Sequence, residues 1–402
     1  MTAQRDPPPH DVRLRGFPDR ASVERAVAWV DLHAPRLGSE EVPVADACGR
    51  VLAAAPAAPA DHPAVARAAA DGYAVRSADT VGASAYNPLP LRLQGAGEPL
   101  APGGAALVCA GAALPAGADA LLGFDAAEAA GDAVEAIAGV AEGAGVERPG
   151  DEIRAGVAVG AAGRPLRVHE AALLAALGVL RASVVARPRV RLVVAGAKGL
   201  GTAGSAPDVD GQLVRALVSR DGGLVEVGLP APTLREALLR AAQRPPPDLV
   251  LALGRTGTGP DDEAPVALAA AGELGLHGIA LRPGGSTAMG HVAGVPVLLL
   301  PGDPLACLVA YELFAGRFVR RLGGRDPELP HPALEAEVSR RIVSAVGCVD
   351  VCQVRLVAGA VEPLGVAEFG GLAAAARADG FVVVPAPLEG YPPGARVTVR
   401  TY

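Results

Sequence analysis

The chain has 402 residues, enough for two to four domains with substantial cores. A formal net charge of −7 and an aromatic content of 3% exclude a general nucleic-acid binder, which needs a basic surface or stacking platforms. Half the residues are apolar, yet Gly, Pro or charge interrupts the apolar stretches well short of the ~20 residues that span a bilayer. The opening from Met1 to Arg20 is polar and Pro-rich, without the apolar centre of a secretion signal, so the expected location is the cytoplasm, away from membranes.

Residues 1–17 are expected to be disordered. Ser22 is a candidate N-cap for a helix carrying Val23, Ala26, Val27 and Val30 on one side. Residues 40–52 suggest a short strand followed by a turn at Cys48-Gly49-Arg50. From 55 to 146, short apolar runs such as Leu91–Leu93, Ala106–Val108, Ala120–Leu122 and Ala133–Glu135 alternate with Gly and Pro, an all-β pattern. Glu170 to Leu180 reads as a helix closing at Gly178.

Strands and helices alternate from residue 188. Arg189–Val194, Leu224–Val227, Asp248–Leu253, Gly278–Leu281 and Val295–Leu300 read as strands, Leu213–Ser219 and the segment after Thr233 as helices. That rhythm predicts a doubly wound parallel α/β domain, whose ligands sit beyond the carboxyl ends of the strands. Residues 334–402 return to strands, predicting a small β-barrel-like C-terminal domain. The expected division is 1–17; 18–54 with 147–182 as a linking domain; 55–146, β-rich; 183–326, α/β; and 327–402.

Four segments carry candidate chemistry. Val295–Leu300 enters Pro301-Gly302-Asp303-Pro304 and then the amphipathic stretch Leu305–Phe314. A strand running through a stiff turn into a helix presents unpaired N–H groups and a positive dipole end, which suits an anion. An ordinary crossover is the alternative on spacing alone. Gly254-Arg255-Thr256-Gly257-Thr258-Gly259, with Asp261 and Asp262 behind it, is a loop whose amides can hold phosphate while a carboxylate holds a cation; a flexible connector is its alternative. Arg282-Pro283-Gly284-Gly285-Ser286 sets a guanidinium on a turn, for phosphate or simply for solvent. Asp71-Gly72 precedes a short strand and reads as a turn when taken alone. The five cysteines show no paired spacing of the zinc or redox kind.

Taken in order, these segments resemble the molybdopterin molybdenumtransferases, the bacterial molybdenum insertases related to the C-terminal part of gephyrin. Asp71-Gly72-Tyr73-Ala74-Val75-Arg76 matches a family run intact. Gly111 to Ala120 is similar to its Gly-Ala-x-Leu/Pro-Pro-x-Gly-Ala-Asp stretch, and Pro301–Pro304 stands where the family has Pro-Gly-Asn-Pro. The likeness extends from about residue 18 to residue 402.

The resemblance implies a homodimer of elongated subunits in which molybdate and adenylylated molybdopterin react with Mg2+ assisting. AMP is released and the metal passes to the dithiolene. Carried over residue by residue, it assigns catalysis to Asp71 and Asp262 and cation binding to Asp262 and Glu152. Substrate binding goes to Lys198, Asp208, Gly254, Arg255, Thr256, Gly257, Arg282, Pro301, Gly302, Asp303 and Pro304. Other cofactor-assembly proteins or molybdoenzymes are further expected partners.

The chain also departs from the family. Ala110 replaces a Thr, and Ala195-Gly196-Ala197-Lys198 replaces Ser/Thr-Gly-Asp-Glu, so a carboxylate pair is lost and the chain's only lysine is gained. Leu253-Gly254-Arg255-Thr256-Gly257 stands for Ser-Gly-Gly-Val-Ser, Gly285 for a Lys and Phe369 for a Ser. Two expectations therefore stand side by side: an insertase with a re-tuned site, or a non-catalytic molybdopterin-binding paralogue acting in cofactor assembly or delivery.

Overall fold

A computed structural model describes residues 11–95, 97–195, 208–228, 231–243, 245–364 and 371–402. Contacts divide the chain into two compact units, Glu41–Val184 and the remainder, Met1–Glu40 with Val185–Tyr402.

Within Glu41–Val184 the short apolar runs form one six-stranded sheet, in the order Ala120–Leu122, Gly72–Val75, Gly104–Val108, Leu89–Gln94, Ala133–Ala136 and Ala127–Ala130. Inward residues Val75, Leu91, Leu122 and Val134 make its core. A second core joins the two ends of the unit through Val44, Leu52, Leu166, Leu174 and Val184. The helix beside it runs Val168–Ala176, starting before and ending before the predicted Glu170–Leu180, because Gly178 leaves the helix at φ +71°. Glu170 holds its first turn, accepting from Arg167 N–H at 3.0 Å and pairing with Arg164 at 2.9 Å.

The other unit contains a six-stranded sheet and the helices packed on it. We number its elements α1 (Val23–His33), β1 (Arg189–Val194), α2 (Val209–Arg220), β2 (Leu224–Val227), α3 (Leu234–Ala241), β3 (Leu249–Leu253), α4 (Ala264–Ala271), β4 (Glu273–His277), β5 (Ala288–Val292), β6 (Val295–Leu300) and α5 (Pro304–Ala310). The sheet order is β2-β1-β3-β6-β5-β4. β2, β1, β3 and β6 are parallel, while β6-β5-β4 is an antiparallel meander at one edge. Sequence patterning predicted parallel strands only and placed one at Gly278–Leu281. It missed β5 and misplaced β4 because Gly275 and Gly290 break the apolar alternation. The structure needs Gly290 bare, since a Cβ there would meet the Glu273 carbonyl at 2.0 Å.

Ser22 caps α1 as expected, accepting from Arg25 N–H at 3.2 Å. The buried side of α1, Ala26 and Val30, joins the α/β core with Phe314 and Phe318. Residues up to Glu40 therefore belong with the α/β unit, whereas the sequence reading grouped 18–54 with 147–182. Residues 11–17, expected to be disordered, are also held in this unit: Leu14 N–H donates to the Thr258 carbonyl at 2.8 Å, and Phe17 meets His277 edge to face. Residues 1–10 lie outside the described residues.

The C-terminal strands close on themselves: Val349–Val357, Ala360–Pro363, Ala333–Val338, Arg396–Thr401 and Gly380–Val384 pair in sequence and back to the first. A helix at Gly371–Arg377, unread in the sequence, accompanies them. Leu281–Arg282, leaving the α/β sheet, pairs in parallel with Val349–Asp350.

One buried charge network locks the long helix that α5 begins. After α5 the helix widens into a π turn, Tyr311–Ala315, and continues as Gly316–Leu322. Asp221, 2% exposed, accepts from Tyr311 OH at 3.1 Å and Arg320 Nη1 at 3.0 Å. Arg220 grips Glu312 at 2.6 Å. Burial would raise the Glu312 carboxyl, but hydrogen bonds from His331 and Arg220 outweigh it and hold the group low.

Asp221→Ala leaves the buried Arg320 without its carboxylate and is expected to cost about 3–5 kcal/mol in urea-unfolding stability. In the other unit, the Arg164 hydrogen bond lowers the Glu170 carboxyl to about 2. A depressed carboxylate stabilises the fold fully above its ordinary value, about 4.5, and loses that stabilisation as pH falls toward about 2. Glu170→Gln is therefore expected to flatten the acid limb of the stability profile in that window, measured by denaturation at stepped pH.

Candidate active site in the α/β domain

The carboxyl ends of β3 and β6 stop side by side, with Leu253 in register with Leu300. Gly254 N–H donates to the Leu300 carbonyl at 2.9 Å, carrying the pairing one residue beyond the strands. The two following turns then touch through backbone. A Cβ on Gly302 would lie 3.1 Å from the Gly254 Cα, so Gly302 must be small for the turns to meet. Gly254 has φ +89°, and Arg255 beside it adopts a left-handed φ of +57°, which bends the chain sharply out of the strand.

The rest of the glycine-rich loop is held from within. Thr256, 2% exposed, shares a hydroxyl hydrogen bond with Ser286 at 2.9 Å. Its carbonyl accepts from His277 Nε2 at 2.9 Å, so that nitrogen carries the proton. Asp262 accepts from Gly259 N–H at 2.7 Å and closes the loop before α4. The Arg255 carbonyl accepts from Ala264 N–H at 3.0 Å.

Across from this loop, Asp303 caps α5, accepting from Ala306 N–H at 2.9 Å, with Pro304 at the first helical position. The sequence expectation of a strand–turn–helix at Pro301–Pro304 holds. Asp208 caps α2 through Gly211 N–H at 2.9 Å, while its Oδ2 is buried with no hydrogen-bond partner among the described residues. Burial pushes the Cys307 thiol up, and the charges of Asp210 and Asp303 add to that, placing both carboxylates near the start of α5.

Gly254, Arg255, Thr256, Gly257, Asp262, Pro301, Gly302, Asp303 and Pro304 thus lie on two turns joined where Gly254 meets Gly302. The side chains expected to meet phosphate are occupied. Arg255 pairs with Glu263 at 2.7 Å. Arg282 forks onto Asp350, which is 1% exposed, with Nε to Oδ1 at 2.7 Å, tying the turn to the closed C-terminal sheet. The junction of the two turns is itself chiefly backbone. Lys198 lies outside the described residues, as do Ala197 and Phe369.

Asp71 and Glu152 lie in the other unit. Asp71 is exposed and accepts from Ala110 N–H at 2.8 Å. Glu152 lies 3.4 Å from both Arg67 Nη2 and His62 Nε2. A guanidinium at that distance competes with any cation. The described residues bring together no group of three His, Cys, Asp or Glu side chains fit for a metal ion. Of the expected magnesium ligands, Asp262 thus accepts from a loop amide, and Glu152 is paired with Arg67 in the other unit.

Sequence reasoning assigned no role to Ser286, His277, Glu263 or Asp350. Ser286 stood inside a quoted motif, and its position right after Gly284-Gly285 was the available signal. Glu263 acts through Arg255 eight residues before it, and His277 and Asp350 act through residues more distant in sequence.

The chain thus combines an α/β sheet, whose glycine-rich turns meet at the ends of two parallel strands, with a closed β sheet. Residues 21–178 match the family model "MoeA N-terminal region (domain I and II)", and residues 192–321 match "Probable molybdopterin binding domain". The chain is 31% identical to molybdopterin molybdenumtransferase 2 of Mycobacterium tuberculosis, over 72% of this chain and 77% of that protein. It is 26% identical to molybdopterin molybdenumtransferase of Staphylococcus aureus, over 82% and 83%. A solved molybdopterin biosynthesis MoeA protein from Pyrococcus horikoshii superposes with a TM-score of 0.74 at 28% identity, covering 95% of this chain and 99% of that one. The chain belongs to the molybdopterin molybdenumtransferase family, a family of enzymes.

Gly302→Val is expected to force the turns after β3 and β6 apart and lower unfolding stability by about 1–3 kcal/mol, read by denaturant titration.

Proposed function

We propose that this protein acts in molybdenum cofactor biosynthesis as a molybdopterin molybdenumtransferase, taking up molybdate and adenylylated molybdopterin and releasing AMP. The observation that carries this reading is the junction of the Gly254–Gly259 loop with the Pro301–Pro304 turn, inside the segment matching the molybdopterin-binding model. Backbone N–H groups and the start of α5 would receive the pterin's phosphate. They are fixed before the ligand arrives, so little reorganisation opposes binding. The Thr256–Ser286 hydroxyl pair, partly exposed through Ser286, lends the loop polar groups that can face a phosphate oxygen.

The finer parts of the reading are a homodimer, a cytoplasmic location and assistance by magnesium. No helix among the described residues is long and apolar enough to cross a membrane. We derive no step through magnesium. We also propose the division into linking, β-rich, α/β and C-terminal parts, with the first of these beginning after α1.

One observation favours a second reading. Ala110 offers Asp71 only a backbone N–H, and no hydroxyl. A paralogue that binds molybdopterin without turnover is consistent with that loss.

Purified protein mixed with adenylylated molybdopterin, molybdate and magnesium decides between the two. AMP release with formation of active cofactor supports the transferase, and binding without AMP supports the paralogue. Thr256→Val removes one hydroxyl of the pair and is expected to weaken molybdopterin binding about tenfold, the worth of one hydrogen bond, measured by calorimetry.

A further inference from the structure

The peptide between Thr258 and Gly259 is held from both sides. Its N–H, on Gly259, donates to Asp262 Oδ2 at 2.7 Å. Its carbonyl, on Thr258, accepts from the backbone N–H of Leu14 at 2.8 Å. A trans peptide is planar with N–H and C=O pointing opposite ways, so the two bonds together leave that unit no freedom to turn. Asp262 belongs to the loop's own exit, but Leu14 comes from the N-terminal segment, more than two hundred residues earlier in the chain.

The segment is shaped for that contact. Asp11 forks onto Arg13, with Nε at 2.8 Å and Nη2 at 2.7 Å, and also accepts from the Arg13 N–H. Val12 closes a turn by accepting from Arg15 and Gly16 N–H, each at 3.1 Å. Within that turn Leu14 takes φ +59°, a left-handed conformation costly for a leucine, and 80% of its side chain surface faces solvent. The strain gains the Leu14 side chain no burial. It lets the turn close on the Val12 carbonyl, and the Leu14 N–H at that turn donates to Thr258.

A second clamp stands beside the first. Phe17 packs edge to face on His277, with ring centroids 4.9 Å apart, and a Cβ on Gly278 would come within 2.5 Å of it. His277 donates to the Thr256 carbonyl at 2.9 Å. By the same peptide geometry, fixing that carbonyl on His277 turns the Gly257 N–H to the opposite side. The N-terminal segment therefore reaches two peptides of the loop with one between them, Thr258–Gly259 directly and Thr256–Gly257 through His277.

We propose that residues 11–17 are an arm that positions the Gly254–Gly259 loop for its anionic ligand, with the Leu14 N–H and the Phe17 ring as positioning groups. This rests on the reading of that loop as the molybdopterin phosphate site. Neither group touches the ligand; each sets which way the loop amides face. The preformed loop then binds without first having to order itself, and loosening the arm returns that cost as lost affinity.

The test uses the full-length protein and two measurements, amide hydrogen exchange over residues 254–262 and calorimetric affinity for molybdopterin. Leu14→Pro removes the N–H and, because the proline ring cannot adopt a positive φ, also unmakes the turn that presents it, and Phe17→Ala removes the ring on His277. Each is expected to speed exchange in the loop about tenfold and to weaken molybdopterin about three- to tenfold, as expected for one lost hydrogen bond or packing contact. Leu14→Gly keeps the N–H and prefers the left-handed backbone, so it is expected to match the wild type in both, which a loss of side-chain packing at Leu14 would not. Unchanged loop exchange in Leu14→Pro and Phe17→Ala overturns the arm. Faster exchange with unaltered molybdopterin affinity overturns its role in positioning the ligand. Absence of molybdopterin binding by the wild-type chain overturns the underlying function while leaving the exchange result to judge the arm.

Discussion

Everything proposed for the α/β unit depends on a backbone contact between two glycines. Gly254 and Gly302 follow adjacent parallel strands that end in register, and their main chains approach too closely for a side chain on Gly302 to fit without displacement. Parallel pairing normally ends with diverging connections. Here one more hydrogen bond, from Gly254 N–H to the Leu300 carbonyl, carries the pairing past the strands. That bond brings a glycine-rich loop and the capped start of a long helix to one place, and each contributes N–H groups.

The surrounding charges make sense on that basis. The two arginines nearest the turns are spent on carboxylates, Arg255 on Glu263 and Arg282 on Asp350. The first braces the loop against α4. The second anchors the following turn to the closed C-terminal sheet. Asp262 and Asp303 cap backbone N–H groups of the same segments. Side chains that look like ligand-binding charges in a linear motif thus pair with carboxylates or cap the main chain of their own segments. A site built this way tolerates changes of side chain better than changes of backbone geometry, which is consistent with a chain that keeps the turns while altering several polar residues of the family pattern.

The comparison between sequence and structure follows the same division. Strands β1, β2 and β3 were legible because continuous apolar runs bounded by turn residues have few alternatives, and so was the helix after Thr233, which Thr233 caps. The antiparallel β4–β5 edge was not, because Gly275 and Gly290 interrupt its pattern while serving close packing. The helix at Gly371–Arg377 was hidden in an Ala-rich stretch with no amphipathic period. The N-terminal residues looked disordered because their hold is made by backbone and by one aromatic ring, neither of which leaves a periodic trace.

By itself, the sequence determined which residue types stand at the strand ends: glycines that permit left-handed turns, prolines that stiffen them and aspartates that cap the helices behind. Those are local properties, set by backbone sterics and hydrogen bonding within a few residues. Tertiary structure alone decided which groups remain free for a ligand. Whether Arg282 meets phosphate or Asp350, and whether the loop's carbonyls meet water or His277 and Leu14, depends on partners far away in the chain. Such pairings are chosen by the packing of sheet, helix and closed barrel, and a linear motif contains no record of them.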